Sequence, residues 1–146
     1  MKAFEIQNQF GLDHLVQVDR PLPEPGPRQV LLRMRAVALN YRDLLTVDGS
    51  YNPKQPLPLI PCSDGVGEVA SVGDGVKRVR EGDRVIPIFA QRWISGAPTR
   101  EGLRSTLGGP LDGTLAEHVL LHEDGVVLAP EHLEDEDAAS LPCSAV

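Results

Sequence analysis

Glycine and proline interrupt this chain so often that no long helix fits into it. The 146 residues include 14 glycines and 13 prolines, and both residue types break helices and strands. Between these interruptions, runs with alternating apolar and polar residues predict short strands. The predicted strands cover residues 2–7, 13–18, 29–39, 65–72, 84–89, 115–121 and 125–129. The sequence therefore predicts a mainly β fold with short helices, arranged as a barrel-like domain.

Two short helices and one long loop complete this outline. Asn40, with the acid Asp43 three residues later, is typical of a helix start and predicts a helix over residues 41–47 that ends at Gly49. A second helix is predicted over residues 134–140. Residues 90–111 follow neither period, and a loop of this length in a compact domain is expected to be functional or to belong to an interface.

Charge and composition exclude several classes of partner. The net charge is -7 and aromatic residues make up 4% of the chain, which argues against nucleic acid and against anionic membranes as partners. No apolar run is long enough to span a membrane, and the first ten residues lack the apolar segment of a signal peptide. Two cysteines do not make a disulfide framework, so we expect a cytoplasmic protein.

One glycine pattern resembles a dinucleotide-binding loop. Gly65, Gly67 and Ala70 fit the spacing G-x-G-x-x-G/A, which binds pyrophosphate only between a strand and a helix N-terminus. Here a proline-rich segment precedes the pattern, and the β-branched residues and glycines after it leave no room for a helix. We therefore interpret it as a tightly packed strand and predict no dinucleotide-binding loop in this chain.

The candidate metal ligands are scattered. His118 and His122 lie on a predicted strand, where residues four apart are separated by about 13 Å, too far for one ion. Cys62 and Cys143 are interpreted as buried free thiols, since neither belongs to a C-x-x-C pair or to a His–Cys cluster. The residues thus predict no metal site.

A dense polar group stands at the junction between the third strand and the first helix. It consists of Asn40, Tyr41, Arg42 and Asp43, with Tyr51 and the run Cys62-Ser63-Asp64 close behind. Helix capping by Asn40 and a surface ion pair between Arg42 and Asp43 would explain part of it. A reaction site is the alternative, because a tyrosine hydroxyl can donate to a carbonyl oxygen that an asparagine amide orients. The residues alone leave both interpretations open.

Several ordered motifs resemble those of the medium-chain dehydrogenase/reductase superfamily. They are ALNYRDL (38–44), GSY (49–51), PLIPCSDGVGEV (58–69), VG (72–73), GDRV (82–85), DGTLAE (112–117) and LPC (141–143). The resemblance implies a GroES-like, partly open β-barrel as the catalytic domain over residues 1–128. Residues 129–146 would then start the connection to a nucleotide-binding Rossmann domain that lies outside this chain.

Two departures from the superfamily pattern bear on the chemistry. Zinc alcohol dehydrogenases carry Cys where this chain has Asn40 and His where it has Ser63, and only Cys143 falls on a possible ligand position. One thiol cannot replace a site with three ligands, so we expect no zinc. The chain resembles the zinc-independent quinone oxidoreductase and enoyl reductase branch.

That branch implies hydride transfer from NADP(H) or NAD(H) to a quinone or an α,β-unsaturated carbonyl compound. The resemblance assigns catalytic roles to Tyr51 and Asn40. It places Tyr41, Arg42, Asp64 and Cys143 in the substrate and nicotinamide pocket, with Asp64 orienting Arg42 or a pocket water. We expect the full-length protein to act on small carbonyl or quinone molecules and to form a homodimer.

Two other functions remain open at this stage. One is an alcohol dehydrogenase with a degenerate zinc site, and the other is a non-enzymatic, co-chaperonin-like assembly module of the same fold. The apolar end at residues 141–146, together with the missing dinucleotide loop, leads us to expect a truncated domain. Such a domain would not catalyse the reaction alone.

Overall fold

The computed structural model describes residues 1–144 and confirms a mainly β fold with few short helices. The strands are β1 (Lys2–Ile6), β2 (Leu15–Asp19), β3 (Gln29–Ala38), β4 (Asp64–Val72), β5 (Arg84–Pro87), β6 (His118–His122) and β7 (Val126–Leu128). The α-helices are α1 (Tyr41–Asp48), α2 (Arg100–Leu103), α3 (Asp135–Ala139) and α4 (Leu141–Ser144), with short 3-10 turns at Leu12–His14 and Glu123–Gly125.

Five strands form one antiparallel sheet in the order β6-β3-β4-β5-β7. Strands β1 and β2 pair separately as a two-stranded sheet, which isolated bridges at Ala3–Ala116 and Ile6–Leu59 connect to the rest. The larger sheet curls into the half-barrel that the GroES-like resemblance implies.

The core lies inside this curl and is built from branched aliphatic side chains of adjacent strands. Its members include Val30, Leu32, Val69, Val85, Leu107, Val119 and Val126. Burying a side chain of this size stabilises a fold by about 1.5–3 kcal/mol, so the shared inner face of the sheet carries the stability of the domain.

The glycine pattern lies in a strand, as the sequence predicts. Gly65 and Gly67 are both in β4. A Cβ atom on Gly65 would lie 3.0 Å from the carbonyl oxygen of Ala36, and one on Gly67 would lie 3.0 Å from that of Arg33. These glycines therefore permit the close approach of β3 and β4, and the interpretation as a packed strand is confirmed.

The segment after β7 packs back onto the sheet. Ala138 and Ala139 of α3 are buried together with Val66 and Ile86, and Arg84 donates to Asp135 at 3.1 Å. A domain boundary at residue 128 stays a prediction. Residues 145 and 146, which belong to the apolar end noted in the sequence, lie outside the described residues. Within residues 1–144, no helix is both long and apolar enough to cross a membrane.

Candidate active site

Helix α1 begins at the polar junction, and its first turn is capped as the sequence predicts. Asn40 and Asp43 form a capping box, in which the Asp43 carboxylate accepts the backbone N–H of Asn40 at 2.8 Å. The Asn40 Oδ1 also accepts the hydroxyl of Ser144 at 2.9 Å. Its Nδ2 is buried and has no hydrogen-bond partner within the described residues. Helix capping therefore accounts for some of the polar atoms of Asn40, but it leaves the Nδ2 donor without a partner among the described residues.

The Asp43 carboxylate is buried, and only one of its two oxygens accepts a hydrogen bond within the described residues. Its Oδ1 has no hydrogen-bond partner among residues 1–144 and lies 4.0 Å from Nη1 of Arg42. Burial raises the pKa of Asp43, and nearby Asp64 adds to the rise, while the Asn40 hydrogen bond and the Arg42 charge oppose it. The first turn of α1 thus holds a carboxyl group that is more easily protonated than usual.

Arg42 is a buried clamp rather than half of a surface ion pair, and that part of the sequence interpretation is wrong. Its side chain is 10% exposed, and its guanidinium lies over the rings of Tyr51 and Phe89, 4.7 and 5.0 Å from their centroids. Two of its nitrogens donate to the carbonyl oxygens of Leu107 at 3.1 Å and Gly109 at 2.8 Å. One side chain therefore joins α1 to two aromatic rings and to the loop before β6.

Asp64 ties β4 to the last described helix. Its carboxylate accepts the Ser63 hydroxyl at 2.7 Å and the backbone N–H of Cys143 at 3.0 Å. Its own carbonyl accepts the Thr114 hydroxyl at 2.9 Å. The expected contact from Asp64 to Arg42 is absent among the described residues, because both carboxylate oxygens have other donors.

The two thiols are held in their neutral form. Cys62 is buried, and burial raises its pKa to about 12. Burial also raises the pKa of Cys143, which lies half-buried beside Asp64. A neutral thiol is a weak nucleophile, so neither cysteine is prepared for covalent chemistry.

A cavity of about 630 Å³ opens next to the Arg42 clamp. Its lining combines aromatic, aliphatic and neutral polar side chains with one arginine: Thr46, Tyr51, Asn52, Gln55, Phe89, Leu103, Arg104, Thr106, Gly109 and Pro110. Tyr51 and Phe89 therefore serve both as walls of the cavity and as partners of Arg42. This volume suits a small organic molecule.

Comparison with known proteins identifies the family at this point. Residues 26–131 match the alcohol dehydrogenase GroES-like domain. The chain belongs to that family. Over 137 residues it is 37% identical to a zinc-type alcohol dehydrogenase-like protein of Schizosaccharomyces pombe, with 93% of this chain and 40% of that protein covered.

Solved structures agree with the curled sheet of this alcohol dehydrogenase GroES-like domain. An NAD-dependent alcohol dehydrogenase superposes with a TM-score of 0.83 at 34% identity, covering 97% of this chain and 43% of that one. The quinone oxidoreductase from Coxiella burnetii superposes with a TM-score of 0.75 at 32% identity, covering 98% and 41%. This GroES-like domain spans about 40% of the length of the relatives it matches.

Five of the six predicted site residues gather in this GroES-like domain around two centres. Asn40, Asp64 and Cys143 lie where α1, β4 and α4 meet, and Tyr51 lines the cavity. Arg42 connects the two centres, since it contacts the Tyr51 ring and lies 4.0 Å from Asp43.

Tyr41 is not part of either centre. Its side chain is 75% exposed and lines a separate groove with Leu12 and Leu44. Successive residues on a helix point about 100° apart, so Tyr41 and Arg42 cannot both face the cavity.

Phe89, Thr46 and Gln55 are cavity residues that the sequence does not single out. Thr46 has a local signal, because it follows Arg42 by one helical turn and its hydroxyl donates to the Arg42 carbonyl at 3.0 Å. Phe89 lies just after β5, and Gln55 lies in the proline-rich segment, so neither has a motif that points to the cavity.

Proposed function

We propose that this chain forms the substrate side of an NAD(P)H-dependent oxidoreductase that reduces quinones or α,β-unsaturated carbonyl compounds without zinc. The cavity next to the Arg42 clamp carries the proposal, because two aromatic rings wall it and Tyr51 brings a hydroxyl group to it. Likeness to the Coxiella burnetii quinone oxidoreductase supports the same substrate class.

The chemistry needs hydrogen-bond donors at the substrate oxygen. A bound nicotinamide supplies the hydride, and the carbonyl oxygen of the substrate gains negative charge as the hydride arrives. Each well-placed donor to such an oxygen contributes a few kcal/mol to the rate, about 3 in the best-studied cases. Tyr51 lines the cavity, and its hydroxyl is the donor that we assign there. The unpartnered Nδ2 of Asn40 is a second donor, but it is buried at the α1, β4 and α4 junction beside Ser144 and does not line the cavity.

Arg42 positions the first of these donors. Its guanidinium contacts both the Tyr51 ring and the Phe89 ring. Because Nη1 and Nη2 are also fixed by the Leu107 and Gly109 carbonyls, the Tyr51 ring rests on a group that cannot turn freely. This arrangement pre-organises the cavity wall before a substrate binds.

The donor set around Cys143 does not fit a catalytic zinc ion. Such a site takes three protein ligands from Cys, His and carboxylate groups. Residues 1–144 contain no cluster of three such side chains. The Asp64 carboxylate beside Cys143 already accepts two hydrogen bonds.

An alcohol dehydrogenase is the second candidate, and the name of the Schizosaccharomyces pombe relative favours it. The two candidates differ in metal and in substrate. Metal analysis of the purified full-length protein should find far less than one zinc per chain, and simple primary alcohols should not be oxidised. If the protein binds one zinc ion per chain tightly and needs it for activity, the alcohol dehydrogenase becomes the favoured function.

The Tyr51→Phe substitution tests the catalytic role of Tyr51. In the full-length protein it should lower kcat for reduction of a quinone or an enone at least tenfold, since about 1.4 kcal/mol of transition-state stabilisation corresponds to one factor of ten. The chain has two tyrosines, so Tyr41→Phe is the matched control and should leave kcat unchanged. If Tyr51→Phe and the unsubstituted protein have the same kinetics, the Tyr51 hydroxyl has no catalytic role and the ring only packs.

A further inference from the structure

The cavity has an unbalanced charge. Arg104 is its only charged lining residue, and no acidic side chain lines it. The whole chain carries a net charge of -7, so a cavity with one cation and no anion stands out against an acidic background.

Arg104 differs from the other arginines near the cavity. Arg92 lies 3.5 Å from Glu101, and Arg42 lies 4.0 Å from Asp43 while it donates to two carbonyl oxygens. Arg104 has no ion-pair partner among residues 1–144. Its backbone is fixed, because its N–H donates to the Glu101 carbonyl at 3.1 Å where α2 ends. The Arg104 side chain is therefore a cation without an ion-pair partner among residues 1–144, on a backbone that the end of α2 holds at the cavity wall.

We propose that the cavity takes a flat conjugated carbonyl compound that carries an anionic substituent, a carboxylate, sulfonate or phosphate group. The conjugated ring packs inside the cavity against the lining residues Tyr51, Phe89 and Leu103, and the anion pairs with Arg104. This substrate class rests on the proposed function, because it assumes that the cavity is the substrate site. A guanidinium binds such anions through parallel N–H donors.

The expected preference is modest. Arg104 is exposed, and ion pairs in contact with water contribute less than buried ones. We expect an anionic ligand to bind about fivefold more tightly than a neutral ligand of the same ring system, within the range of exposed to charge-assisted pairs. The preference should weaken as salt is added.

The chain contains its own reporter for this test. Trp93 is the single tryptophan, and a Cβ atom on Gly102 would lie 3.2 Å from the Cβ of Trp93. Trp93 thus packs against α2, the helix that brings Leu103 to the cavity. A quinone bound there should quench its fluorescence.

The experiment titrates the 146-residue chain with two anthraquinones. Anthraquinone-2-sulfonate carries the anion, and 2-(hydroxymethyl)anthraquinone is its neutral counterpart. The fused rings of both leave no free alkene carbon for a thiol to attack. Arg104→Gln should remove the fivefold preference for the sulfonate and leave the Kd of the neutral compound unchanged.

Arg100→Gln is the matched control, because Arg100 opens the same helix without lining the cavity, and it should keep the preference. Equal binding of both compounds, or a preference that survives Arg104→Gln, would overturn the anionic substrate class. The proposed function would stand in that case, since reduction of neutral quinones does not need Arg104. If neither compound bound, the cavity would not be the substrate site, and the proposed site would fall together with this inference.

Discussion

Two buried carboxylates in this domain have opposite surroundings. Glu123, just after β6, is fully buried and accepts the backbone N–H groups of Lys77 at 2.7 Å and Arg78 at 2.8 Å. Its other oxygen lies 3.1 Å from Arg28. The hydrogen bond from Lys77 does most to lower the pKa of Glu123, with smaller effects from Arg78 and Arg28, and burial opposes them.

Asp43, in the first turn of α1, is also buried, but its pKa is raised by burial because its partners are fewer. Among the described residues, three of the five buried side-chain atoms without a hydrogen bond lie here: Asn40 Nδ2, Arg42 Nε and Asp43 Oδ1. Glu123 Oε1 is another of the five, but it lies 3.1 Å from the Arg28 guanidinium. A domain normally satisfies such atoms. The contrast teaches that Glu123 is held by backbone N–H groups and a nearby arginine, whereas the start of α1 keeps several unmet polar groups where α1, β4 and α4 meet.

The largest expected effect belongs to Glu123. Glu123→Ala removes the acceptor of two partly buried backbone N–H groups, those of Lys77 and Arg78, and leaves a cavity in place of a fully buried side chain, so it should lower the free energy of unfolding by about 3 kcal/mol. Urea unfolding at pH 7 measures this loss. Glu131→Ala, which removes an exposed glutamate, should change stability by no more than about 0.5 kcal/mol. Similar losses in the two variants would break the contrast, because Glu123 would then contribute no more than a surface residue.

Asp43 should respond in the opposite direction. Asp43→Asn keeps an oxygen for the Asn40 N–H and removes a charge that burial disfavours, so it should raise the free energy of unfolding at pH 7 by about 1 kcal/mol. Asp19→Asn, at an exposed position, should stay within about 0.5 kcal/mol of the unsubstituted chain. A clear loss of stability in Asp43→Asn would show that the Arg42 charge outweighs the burial of Asp43.

The smallest effect is a difference in pH dependence. The folded pKa of Glu123 is lowered, so its contribution to stability is present above its unfolded pKa and is lost as the pH falls through the folded value. The folded pKa of Asp43 is raised, so its cost is present above that value and is relieved as the pH falls through it.

The two variants should therefore converge on the unsubstituted chain at different points of an acid titration. Unfolding free energies measured in steps from pH 7 to about pH 3, which spans the ordinary carboxylate range, should show the Asp43→Asn gain disappear first. The Glu123→Ala loss should shrink only at lower pH. If the Glu123→Ala loss shrank at a higher pH than the Asp43→Asn gain, the assigned directions of the two pKa shifts would be wrong.

Local rules predict much of the fold. The prediction of α1 is confirmed, because Asn40 and Asp43 signal its start and Gly49, in the left-handed conformation with φ of 82°, ends it. The strand β4 is predicted from its glycines and β-branched residues. Strand β2 starts two residues later than predicted, since a 3-10 turn occupies Leu12–His14.

The candidate site is less predictable, because its contacts join residues far apart in the chain. Arg42 reaches the carbonyls of Leu107 and Gly109, and Asp64 reaches the backbone of Cys143. No periodicity encodes such pairs. Residues 90–111 are predicted only as a loop, and the short helix α2 inside them has no capping signal beyond Thr99, whose hydroxyl accepts the N–H of Gly102 at 3.0 Å.

The Arg42 clamp also has a mechanical consequence. Moving the Tyr51 ring outward and moving the 107–109 loop outward both break contacts of the same guanidinium, so the inner wall of the cavity moves as one unit. The wall that Leu103 and Arg104 form has no such shared clamp: it is held by separate hydrogen bonds, from Leu103 to Thr99 at 3.0 Å, from Arg104 to Glu101 at 3.1 Å and from Gln91 to Ser105 at 2.9 Å, so its parts can shift one at a time.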